Sequence, residues 1–103
     1  MYGSIFRMRL VAGREQDVIE VFNEWDRERR PNVRGVVGGF LMKPDADTGE
    51  LIGVAVFEDK EAYFANGNEP EQGAWYEKLR ELLQSDPAWE DGEFVVGGTA
   101  LLS

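Results

Sequence analysis

Residues 50–58 read ELIGVAVFE, a run with no polar side: in an extended chain Ile52, Val54 and Val56 fall on one face and Leu51, Ala55 and Phe57 on the other. A strand of that kind belongs inside a sheet that is covered on both faces. Upstream, residues 36–43 (VVGGFLMK) form another extended apolar run. The DADTG between them is rich in turn formers, so the pair reads as a hairpin.

Toward the amino terminus, residues 2–11 (YGSIFRMRLV) alternate, with Tyr2, Phe6, Met8 and Leu10 on one side and Ile5, Arg7, Arg9 and Val11 on the other. After Gly13 the period becomes helical, because Val18, Val21, Phe22 and Trp25 recur at i, i+3, i+4 and i+7. Glu15 and Asp17 in the first turn and Arg27, Arg29 and Arg30 in the last suit the helix dipole, and Pro31 is expected to end the element. Beyond the hairpin, Asp59 caps a short helix holding Ala62, Tyr63, Phe64 and Ala65, which Asn66-Gly67 breaks. Asn68 and Glu71 then have capping-box spacing, with Pro70 in the first turn. Trp75, Leu79, Leu82 and Leu83 give the stripe of a further helix that Asp86-Pro87 stops. The last strand is expected to begin near Glu93 and run through EFVVGGTALL.

The order is βαββαβ, which predicts one α+β domain over residues 1–103: a ferredoxin-like, four-stranded antiparallel sheet with strands 1 and 3 central and the helices on one face. Helices from so short a chain cannot cover both faces, yet strand 3 is apolar on both. The economical cover is the same face of a second copy, so two sheets are expected to pack into a dimeric α+β barrel, a homodimer. Glycine pairs, Gly38-Gly39 and Gly97-Gly98, sit in both predicted edge strands and permit a bulge or close approach of another backbone. Residues after Gly98 are expected to bend and pair with the partner subunit; a loose tail is the alternative.

The chain has no cysteine and no histidine, which removes disulfides, thiolate ligands, and the commonest general base and metal ligand. No glycine-rich phosphate loop or metal-ligand cluster is present, so neither metal nor cofactor is expected. The net charge of -9 is uneven: residues 1–43 carry 8 Lys and Arg against 6 Asp and Glu, and residues 44–103 carry 3 against 14. Such an acidic chain repels nucleic acid and anionic membranes, and no partner of either kind is expected. No apolar run approaches the roughly 20 residues that cross a bilayer, and the amino terminus lacks the basic and apolar blocks of a signal peptide, so a cytoplasmic location is expected.

The arrangement, together with VFEDKEAYFAN after strand 3 and the W-Y-x-x-L-R of the later helix, resembles the antibiotic biosynthesis monooxygenase family of dimeric α+β barrels over nearly the whole chain. The resemblance implies a pocket between helices and sheet, in a superfamily that includes cofactor-free oxygenases, haem-degrading enzymes, isomerases and proteins without known activity. At the positions where haem-degrading members place an asparagine, a tryptophan and a ligating histidine, this chain has Phe6, Asn66 and Tyr76, so haem chemistry is not expected. Cofactor-free members that oxidise polycyclic phenols are more similar. Tyr63 and Arg80 match their tyrosine and arginine, whereas Gly53 and Phe57 replace their asparagine and tryptophan.

The resemblance thus implies Tyr63 and Arg80 as catalytic residues, with Arg80 stabilising a phenolate or enolate and Tyr63 orienting it, and Phe6, Phe57, Asn66, Trp75 and Tyr76 as substrate-binding residues. The plainer alternative packs the Tyr63 ring in the core and pairs Arg80 with Glu77 or Glu81. Trp75 shares the apolar stripe with Leu79, which leaves Tyr76 at its margin, facing either pocket or water. Arg7 and Arg9 project from one face of strand 1 and need carboxylates, expected from a partner subunit, or an anionic ligand. Arg27, Arg29, Arg30 and Arg34, interleaved with Asp26 and Glu28, read as an exposed helix end. Two functions remain open: cofactor-independent oxidation of an electron-rich aromatic small molecule, and a non-catalytic dimeric module that binds a small hydrophobic ligand or is structural.

Overall fold

Alternation along the first strand sets the orientation of the sheet. The computed structural model describes residues 1–97. In β1 (Tyr2–Arg9), Ser4, Phe6 and Met8 are buried beneath the helices while Ile5, Arg7 and Arg9 are exposed. β2 (Val36–Met42) and β3 (Glu50–Phe57) form the expected hairpin, and β4 (Ala88–Glu93) completes a sheet of order β2-β3-β1-β4 with every neighbouring pair antiparallel. β1 and β3 are central, as the ferredoxin-like order requires. The register shifts between Val36 and Gly38, a bulge immediately before the glycine pair that permits one.

Three helices lie on one face: α1 (Glu15–Glu24), α2 (Lys60–Gly67) and α3 (Pro70–Arg80). Met8, Leu51, Val18 and Leu79 form the centre of the core between them and the sheet. Asp59 caps α2 as expected, its carboxylate accepting from the Ala62 N–H at 2.8 Å. The expected Asn68 cap of α3 is corrected. Asn68 closes α2 through bonds from its N–H to the Phe64 and Ala65 carbonyls, and Glu69 occupies the start of α3 without a side-chain cap. Two helices meeting within three residues leave Asn68 one role, and ending α2 takes it.

Pro31 does not end the first helical rod. The chain continues from α1 through a π turn over Trp25–Arg29, closed by a bond from the Arg30 N–H to the Trp25 carbonyl, and a 3-10 turn over Arg30–Asn32. The proline ring would clash with the carbonyl four residues back in a regular helix, and loosening the preceding turn relieves this.

The last strand is also corrected. β4 lies earlier than expected, and its Ala88–Glu93 (AWEDGE) pairs with β1 from Arg7↔Ala88 to Tyr2↔Glu93. Val95 and Val96, which the expected strand included, lie past it and are exposed. Of the expected strand, residues 98–103, with the proposed pairing after Gly98, lie outside the described residues.

The second sheet face carries Phe40 and Met42, 64% and 53% exposed, around Val54 and Ile52, their cross-strand partners on β3. Arg7 on this face pairs with Glu50 of its own chain at 3.1 Å, so its carboxylate does not have to come from a partner.

Candidate functional site

A cavity of about 550 Å³ opens between the helices and the β2 side of the sheet. Its floor is Ser4 and Phe6 of β1 with Ala55 and Phe57 of β3; its roof is Phe22 and Trp25 of the first helical rod, Tyr63 and Asn66 of α2, and Trp75 of α3. The volume suits a small molecule, and the aromatic lining favours a flat apolar one. Among the expected site residues, Phe6, Phe57, Tyr63, Asn66 and Trp75 all meet here.

Tyr76 and Arg80 are not part of this lining. Tyr76 is half-buried with its ring 6.4 Å from that of Trp89, and burial raises its pKa. Arg80 donates through Nε to Asp86 Oδ1 at 2.7 Å and through Nη1 to the Leu83 carbonyl at 3.0 Å, and it pairs with neither Glu77 nor Glu81. The turn after α3 thus engages the guanidinium outside the cavity lining.

The polar groups of the lining are an exposed ion pair, Asp26 with Arg30 at 2.9 Å, and the neutral side chains of Ser4, Asn23, Tyr63 and Asn66. Tyr63 donates to Asp91 Oδ1 at 2.8 Å, and burial, the largest cause, pushes its pKa up to about 12, with the Asp91 carboxylate adding to the rise. The Ser4 hydroxyl neighbours that of Tyr63 and acts in the opposite direction, second in size to burial. Its own Oγ is buried with no hydrogen-bond partner of good geometry. The Trp75 indole is fixed by donation to the Val21 carbonyl at 2.8 Å, and that of Trp25 by donation to Gln72 Oε1 at 2.7 Å.

Asn66, only 7% exposed, accepts through Oδ1 from Arg29 Nη2 at 2.7 Å. Arginine only donates, so the amide oxygen must face it and the amide nitrogen is the group left for a ligand. Arg29 also reaches Glu69 at 3.3 Å, and its side chain is 12% exposed. This corrects its reading as part of an exposed helix end, which does hold for Arg27, Arg30 and Arg34. The reason is the π turn, which holds one more residue than an α turn and shifts the phase of everything after Trp25. Pro31 was the available signal.

Gly53 and Phe6, which replace two asparagines of the resembled patterns, are cross-strand partners, and a Cβ on Gly53 would overlap the Phe6 ring. The two departures are one steric solution: the ring occupies the space that a side chain at 53 would fill.

Among the described residues, no group of acidic side chains is arranged to hold a metal ion, and no helix is long and apolar enough to cross a membrane.

The sequence profile of the antibiotic biosynthesis monooxygenase family matches residues 1–78. No curated protein matches the chain. Among solved structures, a Caulobacter crescentus protein proposed to be an antibiotic biosynthesis monooxygenase superposes with a TM-score of 0.81 at 14% identity, covering 92% of this chain and 90% of its own. SnoaB, a cofactor-independent oxygenase from Streptomyces nogalater, gives 0.74 at 18% identity, covering 94% and 97%. A Nitrosomonas europaea protein of unknown function gives 0.75 at 18% identity, covering 94% and 91%. At these identities the structural likeness speaks for the fold alone. With the profile match over most of its length, the chain belongs to the antibiotic biosynthesis monooxygenase family.

Proposed function

We propose that this protein binds a flat, electron-rich aromatic molecule in the cavity between helices and sheet and oxidises it with dioxygen without a cofactor. The observation that carries the reading is the cavity itself: an aromatic box with Ser4, Tyr63 and Asn66 in its walls and the exposed ion pair of Asp26 and Arg30 among its lining residues. Such a box excludes water around a ligand and presents the Asn66 amide nitrogen to an oxygen on it. In the reaction a ring CH₂ and dioxygen give a carbonyl and water, so no external reductant is consumed. Tyr63 orients the reacting phenol or enol. Stabilisation of its anion falls to the cavity donors, since Arg80 is engaged by Asp86.

That engagement also favours a second reading, a module that binds the same class of ligand without turning it over. A binding screen of phenols and quinones, followed by oxygen-consumption assays on each hit, separates the two. Binding with oxygen uptake supports the oxygenase, binding without uptake supports the module, and a screen without hits contradicts both.

The working unit of this reading is a homodimer closed through the second sheet face, where Phe40 and Met42 lie on solvent. A cytoplasmic location and the lack of a nucleic-acid or membrane partner belong to the same reading, consistent with the acidic charge.

A further inference from the structure

Two polar groups in the cavity wall, the hydroxyls of Ser4 and Tyr63, lie next to a carboxylate outside it, that of Asp91. Ser4 on β1 and Asp91 on β4 are cross-strand partners and therefore share the helix-side face. α2 brings Tyr63 to Asp91, where its hydroxyl donates to the carboxylate at 2.8 Å. Ser4, 2% exposed, and Tyr63 both line the cavity. Asp91 does not, and it is exposed to solvent. Around Tyr63 the rings of Tyr2, Phe57 and Phe64 close at 5.4, 5.5 and 5.1 Å. A polar line thus runs from the aromatic cavity to a carboxylate in water.

We propose that Tyr63 and Asp91 form a proton exit from the cavity, with Ser4 beside it as a free hydroxyl that holds the anion left behind. The O–H bond of a bound phenol breaks as its proton joins the Tyr63 oxygen, while the original Tyr63 proton passes to the Asp91 carboxylate. The products are a phenolate, an unchanged Tyr63 and a carboxylic acid that releases its proton to water. No electrons move and no co-reactant is consumed.

Tyr63 is the conductor and not the base, because burial keeps it protonated up to about pH 12. The unpartnered Ser4 Oγ gains the hydrogen bond it lacks when it donates to the phenolate. The other titratable groups facing this line are Tyr2 and Glu93, the next cross-strand pair on the same face, and Lys60, whose Nζ lies 5.8 Å from the centre of the Tyr2 ring. The inference rests on the reading of the cavity as a site for phenols and supplies that site's deprotonation.

A clamp between α2 and β4 is the competing role for the Tyr63 to Asp91 bond. It needs only an acceptor at position 91, which Asp91→Asn preserves. 2-Naphthol, strongly acidic in its excited state, serves as the probe, excited beyond the tryptophan band, with occupancy fixed by calorimetry. The wild-type complex is expected to emit from naphtholate. Asp91→Asn and Tyr63→Phe, at equal occupancy, emit from neutral naphthol, with the naphtholate fraction reduced roughly tenfold. Neutral emission from the wild type at pH 7, or undiminished naphtholate emission from Asp91→Asn, overturns the exit. Failure of 2-naphthol to bind overturns the reading of the cavity and the exit with it.

Discussion

The Phe6 ring lies where a side chain on Gly53 would have to go, so this pair fixes the shape of the cavity floor. Gly53→Asn, which restores the amide of the phenol-oxidising pattern, is expected to cost about 1–3 kcal/mol through overpacking. Adding Phe6→Ala recovers part of that loss if the ring is the obstacle, and a double-mutant cycle in urea measures the coupling. Tyr63 gives a pH prediction. Its folded pKa, about 12, stands above the ordinary tyrosine value, so its contribution to stability is complete below pH 10 and declines as pH rises toward 12. Asp91→Asn removes the hydrogen bond and charge that add to the shift but leaves the burial, so absorbance titration of tyrosinate places the variant's Tyr63 below wild type and still above 10. That Tyr63, Trp75, Phe6 and Phe57 border one cavity was legible through the family resemblance, on regular strands and α-helices whose periodicity placed the elements. Arg29 was not, because a π turn breaks that periodicity one step upstream.

At the scale of elements, Arg29 ties the first helical rod to the corner between α2 and α3 through Asn66 and Glu69. Arg29→Met is expected to lower stability by about 1.5–3 kcal/mol, the range for a hydrogen bond to a charged group, and to free the Asn66 amide to rotate. Arg29→Lys keeps the charge but not the planar fork, so it recovers only part of the loss in urea unfolding. The hairpin, the central position of β1 and β3 and the Asp59 cap were written in alternation and turn chemistry. β4 was not. AWEDGE has neither alternation nor β-branched residues, and its place is set by the hydrogen-bonding groups that the β1 edge offers, a tertiary influence that a local pattern cannot carry.

For the whole molecule, three helices on one face of four strands leave Phe40 and Met42 on the other, around the partly buried Ile52 and Val54. Sedimentation equilibrium at micromolar concentration is expected to give a dimer, and Phe40→Lys to give a folded monomer; a wild-type monomer would remove the proposed second subunit. The cavity, by contrast, is built from one chain, and the claim that it takes a flat aromatic ligand is tested most directly by calorimetric titration of the wild type and of Val36→Trp with 2-naphthol. Val36, partly buried, borders the cavity from the edge strand opposite Phe57, where an indole can block the space. Saturable binding at one site per chain in the wild type, lost in Val36→Trp, is the result predicted. Absence of saturable heat in the wild type, or equal binding in the blocked variant, would contradict it.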